Sequence, residues 1–169
     1  ALQPDAIAIT GDLVDGTVRE LAPHTAPLGD LKARHGTYFV TGNHEYYVGA
    51  EPWIIELRRL GLQVLMNEHV VIGQDEDALV LAGVTDYSAH RFDESHRSDP
   101  ARALDGAPSV VAVRVLLAHQ PRSAAAAAAA GFHLQLSGHT HGGQFLPWRW
   151  FVRLQQPFTA GLNRWQDLW

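Results

Sequence analysis

Residues 134–144 read LQLSGHTHGGQ, a short apolar run meeting a tight polar turn that carries His139 and His141 two positions apart. On a strand or at its end, residues i and i+2 project to the same side. The spacing therefore predicts two imidazoles aimed at one point. Gly138, Gly142 and Gly143 let the backbone adopt positive φ and crowd a bound group. Paired histidines at a strand mouth have the form of a metal site. Taken alone, a polar turn capping a strand accounts for them equally well. Three further stretches tip that balance: Asp12 in GDLVDG, Asn43 and His44 in GNHE, and His119 directly after an apolar run ending at Ala118. There is no cysteine, which excludes thiolate sites and disulfides. The available donors are His, Asp, Glu and Asn, a set suited to Mn, Fe, Zn or Mg rather than softer metals.

The elements that must position these residues follow from hydrophobic period and punctuation. Residues 6–10 form a buried strand between Pro4 and Gly11, and residues 37–40 a second. Residues 110–118 are the strongest strand, and Leu134–Leu136 the last. Residues 63–65, 70–72 and 78–83 read as three strands, the last two joined by an acidic turn at 75–77. Their clustering predicts an antiparallel patch beside the main sheet. Residues 17–33 read as helix in pieces, interrupted at Pro23 and Pro27 and ended by Gly36. Pro52 opens a helix through Leu60, and Gly61 stops it. Ser123 is placed to cap the seven-alanine run Ala124–Ala130, closed by Gly131. Alanines favour a helix and offer little to pack, so a surface helix is expected there. Residues 85–100 read as a polar surface loop, in which Asp86 and His90 are solvated rather than pocket-lining. Strands and helices alternate, which makes an α/β fold. Ligands of such sheets bind beyond the carboxyl ends of the strands, where Asp12, Asn43, His44, His119, His139 and His141 all fall.

The length of 169 residues suits one domain with a real core. A formal net charge of −5 argues against a general nucleic-acid surface. It leaves a phosphate ester open as substrate, because bound cations can supply positive charge locally. No apolar run reaches transmembrane length and no signal peptide is visible. Oligomeric state leaves no trace in the sequence.

In order, GDLVD, GNHE, His119 after an apolar strand, and GHTHGGQ resemble the motifs of the calcineurin-like metallophosphoesterases, with the GHTHGGQ ending most similar to the bacterial membrane-associated phosphodiesterase branch. The resemblance covers Asp12 to Gln144. It implies a sandwich of mixed β-sheets flanked by helices, in α/β/β/α order, and two divalent metal ions. Asp12 would bridge the ions, Asn43, His119 and His139 would join it on the second, and His141 would belong to the first. A metal-bound hydroxide would attack phosphorus in line. His44 would stay off the metals and act as general acid or stabilise developing charge. The implied substrates are small phosphoesters, diesters above all, or lipid-linked phosphates, with the protein cytoplasmic or membrane-associated in bacteria. With ions carrying the positive charge, no arginine clamp is expected.

The family opens with an Asp-x-His motif that is not found ahead of Asp12, and its members continue with strands beyond the last motif. The expectation is a single metallophosphoesterase domain trimmed at both ends, holding one ion well and the other poorly, with weak catalysis. The alternative is a catalytically impaired metal-binding module of the same fold. A metallo-β-lactamase-like hydrolase fits poorly, since its His-x-His continues into a nearby Asp-His pair and Gly142-Gly143-Gln144 stands here instead. Asp15 reads as a helix cap or as a carboxylate that orients a site residue, and Glu45 as a carboxylate that orients others or sits in a helical first turn rather than binding metal. His24, His35, His69, His90, His96 and His133 read as structural or surface residues. Residues 148–153 mix aromatics with arginines as interfacial segments do, which allows a peripheral membrane contact; packing against the domain is the competing expectation.

Overall fold

The computed structural model describes residues 3–74, 77–144 and 148–169, with the side chains of Trp148, Arg149, Trp150 and Arg153 outside that description. Strands β1 (Ile7–Ile9), β2 (Thr37–Phe39) and β3 (Gln63–Val64) form one parallel sheet in that order. Strands β4 (Glu68–Ile72), β5 (Leu79–Gly83), β6 (Val113–Leu117) and β7 (Leu134–Leu136) form a second, antiparallel between β4 and β5 and parallel beyond. The helices are α1 (Val18–Thr25), α2 (Asn43–Val48), α3 (Ala50–Arg59), α4 (Ala124–Ala130) and α5 (Trp148–Gln155).

Period-two alternation with both faces buried sets the layering. Tyr38 and Val40 pack with Leu65, Leu81, Val115 and Leu117 between the two sheets. Phe39, between them in sequence, points the other way, onto Trp53, Ile54 and Leu57 of α3. On the second sheet Ala82, Leu116 and Ala118 turn outward onto Ala124 and Ala127 of α4. The result is helix, sheet, sheet, helix, the α/β/β/α sandwich expected. Each large apolar side chain buried this way contributes roughly 1.5–3 kcal/mol. Gly83 marks how close the sheets come: a Cβ there would lie 2.5 Å from Leu65 Cβ and from Val40 Cγ1.

Several local expectations are corrected. Helix α2 begins at Asn43, three residues past the end of the strand expected at 37–40, so Asn43 and His44 occupy a helical first turn rather than an open strand exit. Helix α3 begins at Ala50; Pro52 sits within its first turn, where no N–H is required. Pro23 lies inside α1 instead of ending it, and a 3₁₀ turn, Ala26–Asp30, follows. β3 does not join a three-strand antiparallel patch. It pairs parallel to β2 through the α3 crossover, leaving β4 and β5 as the hairpin. Of the acidic turn at 75–77, Asp75 and Glu76 lie outside the described residues. Residues 85–100 are not a solvated loop: they contain 3₁₀ turns, and Thr85, Asp86, Ser88 and Ala89 are buried. The alanine helix is no bystander either, because small side chains at Ala124 and Ala127 allow close approach to the second sheet. Ser123 precedes it without a side-chain cap, whereas Gly131 closes it in the left-handed conformation as expected.

Candidate metal centre

Four chain segments leave the sheets at one edge, and the exit loops hold one another in place. After β1, Gly11 (φ 88°) and Asp12 (φ 55°) turn sharply in the left-handed region. A Cβ on Gly11 would lie 2.5 Å from the Gly42 nitrogen and 2.9 Å from His119 Nδ1, so the β1, β2 and β6 exits touch. Glu45, fully buried, ties two of them together. Its carboxylate accepts hydrogen bonds from the N–H of Asp12 (3.0 Å), Leu13 (2.7 Å) and Gly42 (2.6 Å). Burial lifts the Glu45 carboxyl above the ordinary range, against the pull of those three donors. Trp53 adds a further pin, donating from Nε1 to the Gly16 carbonyl at 2.9 Å.

The loops bring three of the expected donors together. His119 Nε2 lies 2.9 Å from Asp12 Oδ2, and His139 Nδ1 lies 3.2 Å from His119 Nε2. One donor atom from each of Asp12, His119 and His139 falls within 4.8 Å of the others. The other ring nitrogen of His119, Nδ1, donates to the Thr10 carbonyl at 2.6 Å. That contact turns Nε2 toward the cluster, the outer hydrogen bond that orients a ligating imidazole. Burial works to lift the Asp12 carboxyl, but hydrogen bonds from His119 and from the His44 N–H prevail and hold it below its usual value. Burial alone would lower His119; the Asp12 carboxylate outweighs it and raises the imidazole. Burial and then the charge on His119 hold His139 down.

Asn43 and His44 flank this cluster on α2. The His44 N–H donates to Asp12 Oδ1 at 3.0 Å. Asn43 Oδ1 is buried and has no hydrogen-bond partner among the described residues, an arrangement that ordinarily costs about 1–3 kcal/mol. An orphaned acceptor, a carboxylate and two imidazoles with converging nitrogens fit a hard divalent cation. His44 itself is half-exposed; Nδ1 meets Asp15 Oδ1 and Nε2 lies 3.9 Å from Asp12 Oδ2. The Asp15 hydrogen bond, first among several causes, raises the His44 imidazole. Of the two roles expected for Asp15, the structure shows the partner of a site residue; Thr17, not Asp15, stands at the N-cap of α1.

His141 is not brought into the group. Strand β7 stops at Leu136, so the same-side rule for strands does not extend to 139 and 141. Both histidines are left-handed (φ 67° and 48°), and His141 faces outward, 3.4 Å from Gln144 Nε2. Both nonetheless line one cleft of about 280 Å³ beside the cluster, with Thr140, Gln144, Gln155 and Gln156. Left-handed non-glycine residues are strained and concentrate at functional sites, and Asp12, His139 and His141 are three of the five found among the described residues.

Sequence reasoning missed a buried polar chain beneath the site. Asp86 Oδ2 accepts from Gln120 Nε2 at 2.7 Å, and Gln120 Oε1 accepts from Arg122 Nε at 2.6 Å and Gln156 Nε2 at 3.1 Å. The chain braces the segment that carries His119. Asp86 is wholly buried, contrary to its reading as solvated, while His90 stays out of the cluster. Arg122, stacked 4.2 Å over the Tyr87 ring, places a cation near His139 where no arginine was expected. The signal was slight: Gln120 and Arg122 simply follow His119. Three histidines read as structural do take such roles, His69 against the Ala103 carbonyl, His96 against the Tyr46 hydroxyl and His133 under the Arg114 N–H.

Fold and site together define a two-sheet α/β sandwich whose strand exits gather donors of the kind that hard cations take. Comparison with known proteins narrows this class. The family model for calcineurin-like phosphoesterases matches residues 1–143, and the chain belongs to that family. It is 44% identical over 171 residues to a Bos taurus transmembrane protein with metallophosphoesterase domain, covering 95% of this chain and 38% of the relative. It is 39% identical over 161 residues to an uncharacterized metallophosphoesterase of Helicobacter pylori, covering 95% and 42%. The chain therefore spans about two fifths of the length of these curated relatives. Among solved structures, Thermus thermophilus sulfate thiohydrolase SoxB shares the fold, with a TM-score of 0.58 at 21% identity over 80% of this chain and 30% of that one.

Proposed function

We propose that this chain forms one metallophosphoesterase domain that hydrolyses phosphoric esters, phosphodiesters above all, with a divalent-cation cofactor. The observation that carries the reading is the convergence of Asp12, His119 and His139 beside the unpartnered Asn43 Oδ1. Asp12, Asn43, His119 and His139 would hold one ion; His141, which stands apart, would reach a second less well. When bound, divalent ions such as manganese would supply Lewis-acid charge to the phosphoryl group and make a coordinated water acidic. The protein's own part is orientation and proton transfer. The Thr10 carbonyl and the Asp86–Gln120 chain hold His119 in place. Glu45 holds the Asp12 backbone. His44, half-exposed and made more basic by Asp15, is the proton donor to the departing oxygen.

Manganese-dependent turnover of bis-(p-nitrophenyl) phosphate, lost in His44→Ala while metal binding persists, is the expected result. Tight metal binding without turnover in the wild type would leave the non-catalytic metal-binding module as the answer. A membrane-near substrate, such as a lipid-linked phosphate, is consistent with the name of the bovine relative and with Leu154 of α5, which is 81% exposed. Among the described residues no helix is long and apolar enough to cross a membrane; the contact proposed for α5 is a peripheral one. Binding to anionic liposomes tests it, and failure to co-sediment removes it.

A further inference from the structure

Beyond His44 the surface continues as a line of aromatic rings that the chemistry above leaves unused. His44 and Tyr47 stand three residues apart on α2 and so share a face. Their ring centroids are 5.5 Å apart. The Tyr47 ring in turn meets Phe92 at 5.8 Å, tilted by 55°. Tyr47 is 63% exposed and Phe92 52%, although each belongs to a segment packed into the fold. Behind them the support is firm: buried Tyr46 lies 5.7 Å from Phe92, and its hydroxyl meets His96 Nδ1 at 3.1 Å. Two large rings held in place from below, yet open to solvent from above, form a preorganised binding surface that gives up little freedom on contact.

The position of this surface decides what it would bind. Given the proposed proton transfer from His44, on which this inference rests, the departing group starts at that imidazole. The next groups outward are the rings of Tyr47 and Phe92. Tilted ring faces pair with another planar ring through offset or edge-to-face contacts at about 4.5–7 Å, whereas a methylene chain gains only buried area. We propose that Tyr47 and Phe92 are the leaving-group shelf of the site, selecting phosphoesters whose departing group carries a planar aromatic ring.

The test is calorimetric binding of three phosphomonoesters to the manganese-loaded protein: adenosine 5′-monophosphate, ribose 5-phosphate and octyl phosphate. All three share the phosphate and differ in what the shelf would meet. Ring-on-base stacking predicts that the wild type prefers the adenosine ester over the ribose ester by about 5- to 100-fold. That ratio should collapse in Tyr47→Ala and in Tyr47→Leu, fall in Phe92→Ala, and survive in Tyr47→Phe. Tyr47 is solvent-facing, and Tyr47→Leu keeps its apolar bulk, so one folded variant is available if Tyr47→Ala is not. A wild-type ratio near one, a ratio unmoved by Tyr47→Leu, or tighter binding of octyl phosphate than of the adenosine ester would overturn the proposal. Turnover of bis-(p-nitrophenyl) phosphate by the same preparations judges the hydrolase reading separately. An inactive wild type would end that reading while the binding ratio still decided the shelf.

Discussion

Glu45 offers the most searching perturbation, because it touches no proposed metal ligand side chain and yet holds the site's backbone. Glu45→Gln keeps the shape of the side chain but turns one acceptor oxygen into a donor. Two of its three contacts, from Asp12 and Gly42, go to Oε2, and the third, from Leu13, to Oε1. The amide oxygen will settle where two N–H groups point, leaving the Leu13 N–H facing an NH₂. Orphaning that buried donor costs about 1–3 kcal/mol, and two charge-assisted bonds become neutral ones, at about 1 kcal/mol each. Removing a buried negative charge works the other way, since burial already strains the ionised form. The net expectation is a loss of roughly 2–4 kcal/mol, which lowers the melting temperature of a chain this long by roughly 4–16 °C. The second readout is manganese affinity by calorimetry. Asp12 keeps its left-handed conformation partly through the Glu45 contact, so affinity should fall about ten-fold or more, as for other groups that orient ligands from behind. A Glu45→Gln protein that melts with the wild type and binds manganese equally well would refute the clamp.

Gly42→Ala should abolish tight manganese binding on steric grounds alone: its φ of −101° suits any residue, but the new Cβ would lie 2.5 Å from the Asp12 nitrogen. Gly83→Ala is its counterpart in the core, driving Leu65 and Val40 apart; denaturant unfolding should show a loss of about 1–3 kcal/mol with manganese affinity retained. Ala127→Leu overpacks α4 against the second sheet and should cost a similar amount, while the same change at exposed Ala125 should leave the unfolding midpoint in place. Manganese at 100 times its dissociation constant should stabilise the wild type by about 2.7 kcal/mol, a shift in melting temperature that chelation reverses and that His139→Ala reduces.

The strands and the donor types were legible in the sequence because both are local properties. An apolar run of β-branched and aliphatic residues predicts a buried strand wherever it stands, and parallel strands release their exits at one edge. Asp12, His119 and His139 meet for that reason, though they lie more than a hundred residues apart at the extremes. What could not be read was pairing. β3 looks like its neighbours in composition, and only the length of α3 and the apolar faces it must cover assign it to the first sheet. The chain from Asp86 through Gln120 to Gln156 joins residues up to 70 positions apart. Its members look like loop polar residues until folding buries them.

The misplaced expectation for His141 shows where pattern reading ends. The i, i+2 rule presumes that the strand persists, but β7 gives way after Leu136, and the Gly138 N–H bonds to the His119 carbonyl at 3.0 Å instead of continuing a ladder. From there the backbone turns left-handed at His139 and again at His141. Successive left-handed turns separate two side chains that a strand would have aligned: both line the cleft, but only His139 also reaches the cluster. The same conformation is what lets His139 reach His119 at all, so the strain and the proposed metal site have a common origin. Relieving it should show the linkage: His141→Gly, which removes a left-handed non-glycine residue without touching the cluster, relieves about 1–2 kcal/mol of left-handed strain against about 0.4–1 kcal/mol of added unfolded-state entropy. It should therefore stabilise the fold by up to about 1 kcal/mol and leave the His119–His139 pairing intact. If thermal stability instead falls and manganese affinity falls with it, His141 supports the cluster directly, and the separation described above is wrong.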